Sequence, residues 1–260
     1  MERHPDDNEL DFLYNCSNEE LDPLVKVLLD AATNFLDVDA NYKAYHPDHS
    51  KYVGAIIADL QLFGGNSVVN LFRGHGVPYR EILTDVCDKQ DVSYSSSDST
   101  EEIEKALLEK SLKSLWSKMT EEQRREVLEE LGGGSVDIGG ASASALIALF
   151  RMGGFGTYKI MLLLVNSLAS MLIGRGLTLG ANALLTRSLS IVTGPIGWTI
   201  GGVWALFDIA SPAMRVTVPA TVYVAALRGM KNTEKYAKEI GKKVEDSLKK
   251  GRFSRAKIFG

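Results

Sequence analysis

Two cysteines in 260 residues, Cys16 and Cys87, with no Cys-x-x-Cys pair, exclude a disulfide framework and a zinc module. Histidine is nearly as scarce. His4, His46, His49 and His75 are the only four; His46 and His49 flank Asp48, but Pro47 lies between them and no third ligand follows, so no metal is expected. No apolar signal segment follows Met1, nothing directs secretion, and a cytoplasmic location is the expectation. Strand signals are almost missing, which excludes a sheet-based architecture. No catalytic constellation stands out either, so the sequence predicts a protein that is not an enzyme and holds no cofactor.

What is present is charge, divided unequally. Residues 1–131 carry 13 Lys and Arg against 27 Asp and Glu, a net of −14, whereas residues 132–260 carry 16 against 6, a net of +10. The halves attract each other, and the basic half is drawn to anionic surfaces.

In the acidic half, helix starts are well marked. Ser17 with Glu20 and Thr120 with Gln123 match the capping box, in which a hydroxyl and a side chain three residues on satisfy orphan backbone donors. Leu21, Leu24, Val25 and Leu28 then share one helix face. Ile103, Leu107, Leu112, Leu115, Trp116 and Met119 do the same ahead of the second box. Between them the pattern predicts helices over 51–63 and 67–73 and a third after Pro78, a residue suited to a helix start. Residues 91–100, rich in serine and aspartate, read as a flexible linker.

Beyond the glycine run at 132–134 the composition changes. From 145 to 230 only Arg151, Lys159, Arg175, Arg187, Asp208, Arg215 and Arg228 are charged. They bound apolar runs of 15 residues (160–174) and 20 residues (188–207), against roughly 20 for a membrane-spanning helix. Gly176 and Gly180, and again Gly197 and Gly201, form GxxxG pairs that let helices approach closely, with Gly194 and Gly202 adding to the stripe. Trp198 and Trp204 are candidate interfacial anchors. Packing inside a soluble bundle explains the same glycines without lipid. Asp208 has Arg187 or Arg215 as a candidate buried partner. The apolar stretch from 214 to 226, interrupted by Pro219, predicts a further helix or a kinked pair.

Residues 231–260 form a basic amphipathic tail whose Lys242, Lys243, Lys249 and Lys250 suit anionic headgroups or the acidic half. Nucleic acid is disfavoured, since no aromatic platform or helix-turn-helix accompanies the charge. One further site is a candidate: Gly64 and Gly65, ahead of a helix and followed by Arg73 and His75, could cradle an anion, although the lysine and spacing of a phosphate loop are missing.

The division that results is an acidic helical region (1–90) with an FGGNS…RGHG motif, a polar linker (91–100), an amphipathic helical pair (101–131), a Gly/Ser linker (132–144), an apolar Gly-rich region (145–230) and a basic helix with its tail (231–260). The fold class is all-α, a multi-helix bundle with an acidic N-terminal half and a Gly-rich apolar C-terminal half.

The residues Leu60-Gln61-Leu62-Phe63-Gly64-Gly65-Asn66-Ser67, then Asn70, Arg73-Gly74-His75-Gly76, Tyr79 and Ile82-Leu83-Thr84-Asp85-Val86, resemble the core motif of the YaaW-like family of bacterial proteins. The opening at 10–17, Gly194-Pro195-Ile196-Gly197-Trp198 and the stretch at 215–220 are similar to that family's other parts, so the resemblance covers about residues 9–230. It implies a helical bacterial protein grouped with ubiquinol–cytochrome c chaperones, and brings no catalytic residues. The reading that follows is a non-enzymatic protein at the inner face of the membrane, engaging lipid or a membrane-protein client through residues 140–230, with self-association left open. A chaperone or assembly factor is the first alternative and a pore-forming effector the second.

Overall fold

The computed structural model describes residues 3–30, 35–63, 76–122, 124–125, 143–153, 157, 160 and 214–256. Among them are seven α-helices and no strand: α1 (Asn18–Leu29), α2 (Ala40–Tyr45), α3 (Val53–Phe63), α4 (Tyr79–Lys89), α5 (Thr100–Lys118), α6 (Ala143–Met152) and α7 (Met214–Ala256). Short 3₁₀ turns at Asp11–Asn15, Leu36–Val38 and His49–Lys51 link the early helices.

Local chemistry sets the helix starts. Ser17 and Glu20 form the expected reciprocal cap on α1, with the Ser17 N–H donating to Glu20 over 2.7 Å. Asp39 caps α2 by accepting the N–H groups of Asn41 and Tyr42. A second capping box, Ser99 with Glu102, opens α5. Of the Thr120 and Gln123 pair, Gln123 lies outside the described residues, while the Arg124 N–H bonds the Thr120 carbonyl as in a helical turn. The expected helix over 67–73 lies outside them as well.

The stretch before Ser99 has no regular structure, but it is tied to α4. The Arg80 guanidinium donates to the carbonyls of Ser96 and Asp98, the Tyr94 hydroxyl to Asp88, and the Ser95 N–H to the Asp98 carboxylate.

The core is organised around α7. Every residue from Val216 to Arg228 is buried, and this part of the helix packs against α1, α3, α4 and α5. A helix apolar on all sides must be enclosed on all sides, and here the enclosing surface is the chain's own acidic half. The apolarity of 214–230 is accounted for by the bundle, with no need of lipid. Pro219 does not divide the segment. A proline inside a helix costs about 3 kcal/mol, and burial of Val218, Ala220, Val222 and Val224, each completely enclosed, outweighs that. Nor does the helix end where its composition changes at 230: the same α7 continues to Ala256, leaving the bundle near Lys231 and carrying Lys235, Tyr236, Lys238, Glu239 and Lys242 exposed. Ion pairing follows the charge asymmetry. Lys231 meets Glu20 of α1 at 2.6 Å, and Arg151 of α6 meets Glu109 of α5.

No helix among the described residues is long and apolar enough to cross a membrane. The glycines and tryptophans singled out for close packing, Gly176, Gly180, Gly194, Gly197, Trp198, Gly201, Gly202 and Trp204, lie outside the described residues.

Candidate functional site

Of the FGGNS…RGHG motif, Gly64, Gly65, Arg73 and His75 lie outside the described residues, while both its ends lie within them. The chain leaves α3 at Phe63 and is back against the same helix at Gly76. There the backbones meet so closely that a Cβ on Gly76 would stand 2.2 Å from the carbonyl carbon and oxygen of Gln61 and 2.6 Å from the Leu62 nitrogen. Only glycine fits. The next residue seals the return, with the Val77 N–H donating to the Gln61 carbonyl over 3.1 Å.

A buried polar clasp lies beneath that junction. Pro78 opens α4 without a side chain able to cap it, so the first N–H groups need an outside acceptor. Asp7 supplies one from the N-terminal segment: its Oδ2 accepts the Tyr79 N–H over 2.6 Å and the Gln61 Nε2 over 2.7 Å. A carboxylate at a helix N-terminus is favoured by the helix dipole as well as by the hydrogen bond. The Gln61 Oε1 in turn accepts the His4 N–H, and Thr100 at the start of α5 donates to Glu9.

One turn deeper, the Tyr79 hydroxyl donates to Glu104 Oε1 over 2.8 Å, and Arg228 Nε donates to Glu104 Oε2 over 2.7 Å. The Arg228 guanidinium also lies over the Phe12 ring at 4.5 Å and near that of Tyr79. Burial pushes the Tyr79 phenol well above its ordinary value, so it is a neutral donor. Burial raises the Glu104 carboxyl too, with Arg228 pulling against that rise. This pair joins the acidic half to the apolar half. Of the charges expected to pair within the apolar half, Arg187 and Asp208 lie outside the described residues and Arg215 is exposed; among the described residues of that half, Arg228 is enclosed with a carboxylate.

A second polar cluster surrounds Tyr52. Its hydroxyl is shared by Nδ1 of His49 and Nδ1 of His46, and His49 Nε2 reaches Asp22 at 3.3 Å. Both imidazoles thus turn their Nδ1 atoms to a phenol, not to a common ion, and no group of His, Cys, Asp or Glu among the described residues could hold a metal. Elsewhere Asp59, almost fully enclosed on α3, accepts the Phe35 N–H over 2.8 Å through Oδ1, and its Oδ2 has no hydrogen-bond partner among the described residues. Burial first, and the neighbouring Asp37 second among the raising influences, push its carboxyl up to about 6. Cys16 and Cys87 are buried free thiols pushed up to about 12 by burial, which leaves neither as a nucleophile.

These groups hold elements together through bonds between their own polar atoms. The described surface does have one groove of interest, about 490 Å³, where α7 leaves the bundle past the 3₁₀ turn Asp11–Asn15. Phe12 and Asn15 line one side, and Lys231, Glu234, Lys235 and Lys238 are among those lining the other. Of the basic residues expected to form a surface, Lys242 is exposed one turn further on, and Lys243, Lys249 and Lys250 occupy the same helix.

Comparison with known proteins places residues 57–222 under a family model described as ubiquinol-cytochrome C chaperone. A UPF0174 protein of Helicobacter pylori is 40% identical over 230 residues, covering 85% of this chain and 91% of the relative. The UPF0174 protein YaaW of Escherichia coli is 32% identical over 241 residues, covering 86% of this chain and 94% of the relative. No solved structure matches the chain.

Proposed function

As the chain belongs to the UPF0174 family and to the ubiquinol-cytochrome C chaperone family whose model spans most of its length, we propose that it acts without catalysis, as an assembly factor that binds a partner polypeptide. The observation that carries this reading is the extent of the family match. It runs from α3 through the Gly76 junction and the apolar stretch to Val222, and takes in Gln61, Tyr79 and Glu104 of the clasp. The buried polar groups support it: Asp7, Gln61, Tyr79, Glu104 and Arg228 are bonded to one another and tie the N-terminal segment, α3, α4, α5 and α7 into one frame. In this reading the client contributes an apolar segment, and residues 145–213 receive it. A membrane-embedded protein before its insertion is the class of client whose chemistry matches.

Site-specific photocrosslinking tests this. A crosslinker placed at Leu177 or Trp198 of the full chain should capture an in-vitro translated apolar client segment and lose it when that segment's leucines are changed to serine. Adducts to lipid alone would overturn the reading. Leakage of dye-loaded liposomes would select the pore-forming alternative instead.

A further inference from the structure

We infer that the groove between the 3₁₀ turn Asp11–Asn15 and the emerging part of α7 is a docking site for an acidic helical segment of a partner polypeptide. This rests on the assembly-factor reading and gives that partner a second, polar point of attachment.

The argument begins with spacing. Lys231, Lys235, Lys238 and Lys242 follow one another at intervals of four, three and four, which puts them in one line along a helix. The first is anchored, held by Glu20 at 2.6 Å and by Glu234. The other three are exposed on a helix whose root is clamped in the core, so the ridge projects from a rigid base. Phe12, half-buried, and Asn15 complete the groove opposite the first turns of the ridge. They offer an apolar contact and an amide at the level where an incoming helix would begin.

The occupant follows from the charges. With Lys231 already paired, the three exposed lysines, Lys235, Lys238 and Lys242, spaced by three and four, complement carboxylates repeated at the same rhythm on a second helix. Glu234 and Glu239 stand among those lysines and line the same groove. A face of mixed sign is a poor fit to a uniformly anionic bilayer, which would repel both glutamates, and a good fit to a polypeptide that carries a few basic residues beside its acidic ones.

The test uses the full chain and a fluorescein-labelled helical peptide of repeated Glu-Ala-Ala-Glu in which two alanines beside the acidic line are replaced by lysine to meet Glu234 and Glu239, followed by anisotropy. Binding should weaken steeply with added salt, and the glutamine counterpart of the peptide should not bind. The triple reversal Lys235→Glu, Lys238→Glu, Lys242→Glu should weaken binding by more than about tenfold. The equal charge change on α5, Lys105→Glu, Lys110→Glu, Lys113→Glu, whose lysines are also exposed, should change it by less than about twofold. An equal loss from both variants, or binding to phosphatidylglycerol vesicles with none to the peptide, or salt-sensitive self-association that occludes the ridge, would each overturn the inference. Failure of the peptide with capture of the apolar client intact would sink the groove and leave the assembly-factor reading standing.

Discussion

Replacing Gly76 by alanine is the sharpest test of how the motif is held. The added methyl would lie 2.2 Å from two backbone atoms of Gln61, where carbon contacts settle at about 3.5 Å or more. The atoms in the way are backbone in the last turn of α3, so no side chain can swing aside. The returning chain must therefore move outward by more than about 1 Å, which breaks the Val77 N–H bond to Gln61 and draws the Tyr79 N–H from Asp7. A lost bond with a buried partner costs about 1–3 kcal/mol, and two such bonds are lost while Asp7 keeps those from Gln61 and Glu9, so a loss of about 2–6 kcal/mol is expected. Against a total stability of about 5–15 kcal/mol that is a large fraction. Urea unfolding followed by circular dichroism measures it, and amide exchange at Val77 and Tyr79 should accelerate in the folded protein. A loss below about 0.5 kcal/mol, the range of neutral surface changes, would mean that the close approach to α3 is not a feature of the native protein.

Three further outcomes follow from the same frame. Arg228→Met strands Glu104 beside Tyr79 in the core and should cost about 3–5 kcal/mol, whereas Glu104→Leu combined with Arg228→Met should recover most of it in a double-mutant cycle, measured by denaturation. Asp59 holds its proton to about pH 6 in the folded chain, against an ordinary carboxyl value of 3.8. Its contribution to stability is therefore complete below about pH 4 and lost as pH rises to about 6, a swing of at most about 3 kcal/mol. Asp59→Asn should flatten that part of the melting-temperature profile, and an unchanged slope would show that another group titrates there. Ser99→Ala removes the cap of α5 and should lower stability by about 1 kcal/mol, with Ser99→Gly losing only a few tenths, both read from thermal melts.

The helices were legible wherever a local signal was strong enough to be decided within a few residues. Ser17 with Glu20 marked the start of α1, and the apolar faces of α3 and α5 were visible as spacing. The start of α5 was just as readable. Ser99 with Glu102 is a capping box, but the serine-rich composition ahead of it drew the boundary past the cap, so a hydroxyl that begins a helix was counted with a linker. The region boundary drawn after Met230 rests on composition in the same way, and α7 runs through it. Composition there passes from apolar to basic, which changes what surrounds a helix but not whether it continues, since lysine, glutamate and alanine are good helix formers.

The clasp was not legible, because its bonds join residues far apart in sequence. Asp7 and Tyr79 are 72 positions apart, and Glu104 and Arg228 are 124 apart. Two local anomalies nonetheless pointed toward it. Pro78 heads a helix with no capping side chain of its own, so an acceptor had to arrive from elsewhere. Glu104 follows Ile103 into a buried stripe, and Arg228 ends a stretch, 216–227, that holds no charge; each is expensive to enclose alone, and each therefore calls for an opposite charge. The unpaired residue in each half identifies the other. That is how two halves of opposite composition come to share one core: the acidic half supplies the walls and a carboxylate, and the apolar half supplies the central helix and the guanidinium that answers it.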